Sequence, residues 1–314
     1  VAENLDPTHF VPVGISLDGT APAGQVITGT EGDDELVGSL GNDVIYGLDG
    51  FDQIRGEAGN DVLHGGAGYN NISGGAGDDI LHGGDDGNLL DGGTGNDELH
   101  GGVGDDYLSD HSGDNVLSAG GGNDRLQAGG GNNILNGGEG NDTLEVSDYY
   151  YYPNSEQYSN ELNGGAGNDY LSGGFGDDIL NGGEGNDNLY DTDGINVLDG
   201  GAGDDLLHAN VGSTLTGGEG KDTFSVWTSQ WDSGEAPAVI TDFALAEDLL
   251  DISGLVGDYS SLIGYTGGNP FDPAQGYLAL EQAGDDTLLT IDFDGAGGSD
   301  YVAQSFIKLA GVVA

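Results

Sequence analysis

The sequence predicts an all-β fold, a stack of coils of about 18 residues with a β-rich cap, and three observations carry that prediction. The first is a side-chain register. Ile27, Leu36, Ile45, Ile54, Leu63, Ile72, Leu81, Leu90, Leu99, Leu108, Leu117, Leu126, Leu135 and Leu144 each stand nine residues after the last. A fixed period of this kind marks stacked identical turns rather than an ordinary globular core. The second is an aspartate two residues before most of these positions: Asp34, Asp43, Asp52, Asp61, Asp79, Asp97, Asp106, Asp124 and Asp142. The third is the glycine-rich stretch between them, as in Gly74-Gly75-Ala76-Gly77-Asp78-Asp79-Ile80-Leu81-His82.

Each segment follows from these signals. Residues 1–24, with Pro7, Pro12 and Pro22, lack the register and read as a linker or edge segment. Residues 25–146 form the first repeat block. Residues 147–158 form a Tyr-rich interruption that contains Asp148-Tyr149-Tyr150-Tyr151-Tyr152-Pro153-Asn154. The register resumes in residues 159–224 with Leu162, Leu171, Leu180, Leu189, Leu198 and Leu207; a one-residue slip brings in Leu215, and Phe224 closes the array. Leu162 lies eighteen residues after Leu144, so the interruption is expected to replace about one repeat without shifting the phase. Residues 225–314 change character, with Trp227, Trp231 and runs such as Val239-Ile240-Thr241-Asp242-Phe243 and Leu288-Leu289-Thr290-Ile291. They read as a separate β-rich cap.

The repeat is Gly-Gly-x-Gly-x-Asp-x-Leu-x. Its last three residues suit a short strand whose Leu points inward, because strand side chains alternate. The glycines permit the positive φ angles of a tight turn. Two repeats then make one coil with a strand on each side, and stacked coils lie roughly 4.8 Å apart. Aspartates eighteen residues apart would face one another across that gap.

Composition makes such charge columns a problem that the chain cannot solve alone. It has 56 Asp+Glu against 4 Lys+Arg, a formal net charge of −52. A glycine-rich chain with this much like charge stays unfolded unless counter-cations enter the fold. The strict Leu/Ile register argues against plain disorder. Nucleic acid and anionic membranes are excluded as partners on electrostatic grounds. There is no Cys, hence no disulfide and no thiolate metal site. No apolar run reaches the roughly 18 residues of a membrane span, and no N-terminal signal peptide is visible. The chain starts at Val1 rather than Met and reads as a piece of something longer.

An oxygen-preferring cation between facing aspartates would turn repulsion into ligation. Ca²⁺ suits this, since it takes six to eight oxygens from carboxylates and carbonyls in flexible geometry, whereas Mg²⁺ demands a stricter octahedron. The alternation of repeats assigns Asp43, Asp61, Asp79 and Asp97, then Asn115 and Asn133, then Asp169, Asp187 and Asp205 to one side. The other receives Asp34 and Asp52, Asn70 and Asn88, then Asp106, Asp124 and Asp142, then Asn160, Asp178 and Asn196. Eight adjacent Asp–Asp pairs result (43/61, 61/79, 79/97, 169/187, 187/205, 34/52, 106/124 and 124/142), so about eight Ca²⁺ ions or more are expected. Asp222 is a further candidate ligand at the end of the array. The pairs 70/88 and 115/133 are expected to be metal-free turns held by stacked amides.

The block from Ile27 to Phe224 resembles the RTX (repeats-in-toxin, hemolysin-type) calcium-binding nonapeptide array. The stretch Gly217-Gly218-Glu219-Gly220-Lys221-Asp222-Thr223-Phe224, with Ile240-Thr241-Asp242-Phe243 and Asp248-Leu249-Leu250-Asp251-Ile252-Ser253, looks like the usual end of such an array. Gly276-Tyr277-Leu278 through Gly298 resembles the C-terminal targeting domain of type I secretion substrates. The resemblance implies a right-handed parallel β-roll, export by the type I secretion machinery, and a secreted or cell-surface location on a Gram-negative bacterium.

Two other features stand out. His64, His82 and His100, with Tyr46 before them, form an outward row that reads first as a solvated stripe and second as a transition-metal ladder. Tyr149, Tyr150, Tyr151 and Tyr152 read as a loop covering a gap in the roll or as a stacking surface for sugars, such as an extracellular polysaccharide. No Ser/His/Asp set, zinc signature or phosphate loop appears outside the repeats. The reading is therefore a non-enzymatic calcium-binding structural and secretion module, of an adhesin or surface protein. The alternatives are an accessory roll of a secreted enzyme (polysaccharide epimerase, protease or lipase) and a carbohydrate-binding roll.

Overall fold

The nine-residue register becomes two facing walls of one continuous core. The computed structural model describes residues 23–147, 158–228, 236–256, 269–272, 274–295 and 303–313. Successive strands go alternately to two sheets. Val26–Thr28, Val44–Asp49, Val62–Ala67 and Ile80–Gly84 begin the first; Glu35–Val37, Gln53–Ala58, Asn71–Ala76 and Leu89–Thr94 begin the second. Within the roll every pairing is parallel, and each inward residue meets its equivalent one coil later, as in Ile45 with Leu63 and Ile54 with Ile72. This is the expected all-β parallel β-roll of 18-residue coils. The only helix among the described residues is the single turn Ser253–Val256. No helix there is long and apolar enough to cross a membrane.

Leu63, Ile72, Leu81 and their equivalents through Leu207 are fully buried between the sheets. Each contributes about 1.5–3 kcal/mol by leaving water. Phe224 ends the run, also fully buried, with its ring 5.8 Å from that of Phe243. The slip is absorbed in both sheets: Leu198 pairs with Leu215 and Leu207 with Phe224, seventeen residues on in each case.

Three features differ from the sequence expectation. The strands mostly run five or six residues rather than three, because the Gly-Gly pair after the outward residue keeps pairing with the coil above, as Gly66 does with Gly84. The second glycine of that pair then turns the chain at positive φ, and at Gly75 (φ 114°) the preceding coil passes so close that a Cβ would lie 2.2 Å from Glu57 O.

The second difference concerns the interruption. Leu135 pairs with Leu162 and Leu144 with Leu171, both 27 residues apart. The interruption therefore adds nine residues to one coil instead of replacing a repeat, and the sides exchange their order in the sequence. Asn160, Asp178 and Asn196 continue below Asn133; Asp169, Asp187 and Asp205 continue below Asp142.

Third, the C-terminal region is not detached from the roll. Ala238–Ile240 pairs in parallel with Thr214–Glu219 and extends the first sheet, and Leu249–Asp251 extends the second. Gln304–Leu309 then joins Ala238–Ile240, and the antiparallel strands Asp286–Ile291 and Leu278–Ala283 complete the first sheet. Tyr149–Tyr152 lie outside the described residues.

Truncating a mid-roll core residue tests this architecture. Leu117→Ala should cost about 2–5 kcal/mol in calcium-saturated denaturant unfolding, the range for a cavity in a close-packed interior. The outward neighbour Val116→Ala should cost far less.

Candidate metal centre

Strand ends deliver one aspartate or asparagine per repeat to the two edges of the roll, where they stack into columns. In the first column Asp43 N–H donates to Asp61 Oδ1 (2.6 Å), Asp61 N–H to Asp79 Oδ1 (2.7 Å) and Asp79 N–H to Asp97 Oδ1 (2.7 Å). Asn115, Asn133, Asn160, Asp178 and Asn196 follow. The second column runs from Asp34 and Asp52 through Asn70 and Asn88 into an unbroken series: Asp106, Asp124, Asp142, Asp169, Asp187, Asp205, Asp222 and Asp248. The lengthened coil thus puts Asp142 beside Asp169 at 2.7 Å from N to Oδ1, a pair absent from the sequence assignment. Asp178 correspondingly stands between two asparagines.

One oxygen of each carboxylate is used in this ladder; the other is stranded. Oδ2 of Asp52, Asp61, Asp79, Asp97, Asp106, Asp124, Asp142, Asp169, Asp187 and Asp205 is buried with no hydrogen-bond partner. Leaving a buried carboxylate so is costly, because water no longer solvates the charge. Burial, then the like charges of neighbours in the column, push Asp79, Asp106 and Asp142 up to about 7, and Asp187 and Asp205 to about 6. Three of the chain's four Lys and Arg side chains are paired elsewhere: Arg55 with Glu35 (3.2 Å), Arg125 with Glu145 (2.6 Å) and Lys308 with Asp286 (2.7 Å), all partly exposed on the outer surface; Lys221 precedes Asp222 at the end of the array.

The stranded oxygens do not stand alone. A Cβ on Gly56 would lie 2.3 Å from Asp61 Oδ2 and 2.6 Å from Gly74 O of the coil above. Gly74 meets Asp79 Oδ2 and Gly92 O at 2.4 and 2.6 Å, and Gly137 meets Asp142 Oδ2 and Gly164 O at 2.3 and 2.6 Å. In most repeats the first glycine therefore leaves room where a carboxylate and a peptide carbonyl converge; Ala119 and Ala128 take that place five residues before Asp124 and Asn133. Among the described residues no three His, Cys, Asp or Glu side chains gather into a metal cluster. The protein oxygens available in the loops are thus carboxylates in the columns plus carbonyls, a donor set that fits Ca²⁺.

The asparagines dispose of the same space differently. Asn70 Nδ2 occupies the position of Oδ2 and donates to Gly68 O (2.9 Å) and Gly83 O (3.4 Å), while Asn70 N–H donates to Asn88 Oδ1 (3.0 Å). These bonds run from amide to backbone rather than from amide to amide; Asn133 Nδ2 to Asn160 Oδ1 (3.2 Å) is an exception. At the open end Asp43 has both oxygens hydrogen-bonded, to Gln25 N–H and Ser39 N–H (2.5 Å each), and Asp34 Oδ2 accepts Thr30 N–H (2.6 Å).

The histidine row stacks face to face. Tyr46, His64, His82 and His100 have centroids 4.9, 4.7 and 4.8 Å apart with nearly parallel planes, so the rings form a column instead of converging on one ion. Burial lowers the His64 and His82 pKa values, the latter further by its histidine neighbours. The sequence reading missed Asp110 and Asp191, both fully buried; the signal was an aspartate where a repeat has its first glycine.

A parallel roll whose edges carry paired carboxylates and open glycine loops belongs to the class of calcium-dependent solenoids. The RTX calcium-binding nonapeptide repeat model matches residues 25–54, 55–90, 82–109, 111–144, 156–189 and 181–214, more than half of the 314 residues. The chain belongs to that family, and its repeats bind calcium. No curated protein matches the chain.

Two outcomes follow. Without calcium, the aspartates raised from 3.8 to about 7 bind protons more tightly in the folded state than in the unfolded state. Their contribution is present in full below about pH 4 and is lost as pH rises toward 7, so calcium-free protein should gain thermal stability on acidification across that window. Saturating calcium should flatten the profile. In a double-mutant cycle on calcium-dependent stability, Asp142→Asn and Asp169→Asn should couple by about 0.5–3 kcal/mol, whereas Asp142→Asn and Asp178→Asn should be additive.

Proposed function

We propose that this chain is the calcium-gated folding module of a secreted protein, serving as its structural and secretion region and having no catalytic role of its own. The observation that carries the reading is the series of buried, partnerless carboxylate oxygens along both columns, facing carbonyls, while Arg55, Arg125 and Lys308 pair with other carboxylates. A bound Ca²⁺ supplies the positive charge and accepts oxygens from two successive coils. The protein's part is to hold Oδ1 in the ladder, aim Oδ2 into the gap and keep the first glycine bare.

Because the columns form only when coils stack, binding energy is folding energy. In a calcium-poor compartment the charge of −52 keeps the chain extended. Extracellular calcium modules bind at about 10⁻⁴ to 10⁻³ M, which suits a chain that folds on leaving the cell and thereby favours outward movement. Eleven Asp–Asp gaps in the observed columns support a larger number of ions than sequence order alone: 43/61, 61/79, 79/97, 34/52, 106/124, 124/142, 142/169, 169/187, 187/205, 205/222 and 222/248. Type I export and an adhesin or surface-protein parent fit this behaviour.

Calcium titration followed by far-UV circular dichroism, with magnesium as control, tests the proposal. A cooperative coil-to-β transition with calcium alone, at sub-millimolar to millimolar concentration, is the expected result. Full β structure in chelator at neutral pH would remove the folding switch.

A further inference from the structure

Two loops depart from the regular cradle in the same way. At the first glycine of most repeats the converging atoms are the column carboxylate and a carbonyl from the coil above. At Gly92 they are two carboxylates: Asp110 Oδ2 lies 2.0 Å, and Asp97 Oδ2 2.8 Å, from where a Cβ would be. At Gly173 they are Asp191 Oδ2 at 2.2 Å and Asp178 Oδ2 at 2.8 Å. Asp110 and Asp191 each occupy the place of the first glycine in their own repeats, Asp110-His111-Ser112-Gly113-Asp114-Asn115 and Asp191-Thr192-Asp193-Gly194-Ile195-Asn196.

The two side chains are held alike. Asp110 Oδ1 accepts Ser112 N–H (3.0 Å), and Asp191 Oδ1 accepts Asp193 N–H (3.4 Å). That leaves Oδ2 of each aimed across the gap, where no N–H or hydroxyl donor faces it and the opposing carboxylate of Asp97 or Asp178 does. Asp110 is 0% and Asp191 1% exposed, so water does not solvate the charge either.

Their placement follows a rule. Asp97 ends the aspartate run of the first column, since Asn115 follows it; Asp178 is likewise followed by Asn196. In both cases the repeat that carries the asparagine is the one that has exchanged its first glycine for aspartate. The carboxylate has moved five residues upstream within the repeat, yet still faces the gap below it. Asp52 provides the contrast. Asn70 follows it, but that repeat retains Gly65, and at Gly47 the Asp52 carboxylate meets Gly65 O rather than a second carboxylate.

We propose that Asp97 with Asp110, and Asp178 with Asp191, form two variant Ca²⁺ sites in which a first-position carboxylate replaces both the lost column aspartate and a peptide carbonyl. This rests on the calcium reading of the columns. Two facing carboxylates demand either a shared proton or a cation, and the pair supplies the negative charge of a regular site. The first column then binds calcium at the 97/110 and 178/191 gaps, and its metal-free stretch shrinks to Asn115, Asn133 and Asn160, around the interruption.

The test is calcium anomalous scattering from crystals of the full chain at neutral pH, with ion counting by equilibrium dialysis. Peaks are expected between Asp97 and Asp110 and between Asp178 and Asp191, alongside those of the Asp106–Asp205 series. Asp110→Asn and Asp191→Asn should each bind one ion fewer and lose only the peak at their own gap. Peaks along the Asp106–Asp205 series with both variant gaps empty would overturn this proposal and indicate a shared proton, while leaving the column reading intact. Absence of calcium from every gap would overturn both. The unsubstituted protein decides between these outcomes even if a variant fails to fold.

Discussion

Everything in this roll depends on one arrangement: a backbone N–H of one coil bonded to Oδ1 of the aspartate in the next, at the spacing of a parallel sheet. That bond fixes the carboxylate's orientation and strands Oδ2. It also sets like charges about 4.8 Å apart, the strand spacing, along the edges of the molecule. Neither the leucine core nor the sheet hydrogen bonds can relieve this, because both lie between the columns. The core makes the stack attractive; the columns make it conditional. An oligo-aspartate edge of this kind calls for protons or cations to offset its charge, which is what the proposed folding switch would use.

The glycines carry the second half of that condition. Their role at the first repeat position is space, not flexibility: Asp61 Oδ2 and Gly74 O occupy the room a Cβ at Gly56 would need. Where the repeat gives up a carboxylate, it also changes what fills that room. Asn70 fills it with an amide that donates to Gly83 O, which closes the gap without charge. Asp110 fills it with a second carboxylate, which keeps the gap charged. The same loop geometry thus yields a neutral turn or an anionic one according to one or two side chains.

Much of this was legible in the sequence. The spacing from Ile27 to Leu144 identified the core positions, and the alternation of strands between two sheets followed from an 18-residue coil. The aspartates of the columns could be named in advance because a period of two per strand fixes which side of each strand they leave from. What could not be read was the partner of each residue across the interruption. Leu144 and Leu162 are eighteen apart, the interval of one coil, yet Leu144 pairs with Leu171. Periodicity reports phase along the chain, whereas pairing depends on where inserted residues leave the sheet. Nine extra residues preserve the phase and exchange the sides. Asp110 and Asp191 escaped notice for a related reason: a register search weighs the conforming positions and passes over a glycine site that has become an aspartate.

The exchange of sides has an electrostatic consequence. With coils of constant length, Asn160, Asp178 and Asn196 would follow Asp142 and interrupt the second column a second time. The lengthened coil instead sends them to the column of Asn133 and gives the second column a continuous series from Asp106 to Asp248. One edge of the roll therefore concentrates the calcium-demanding gaps, and the other holds, across the interruption, turns that amides satisfy. Like charges in one uninterrupted column raise one another's proton affinity, as Asp169 does for Asp142. Each cation bound lowers the repulsion felt by the next gap, so successive sites favour filling together. Splitting the series would shorten that coupling. A single nine-residue insertion, neutral to the leucine register, thus sets the length of the uninterrupted aspartate series.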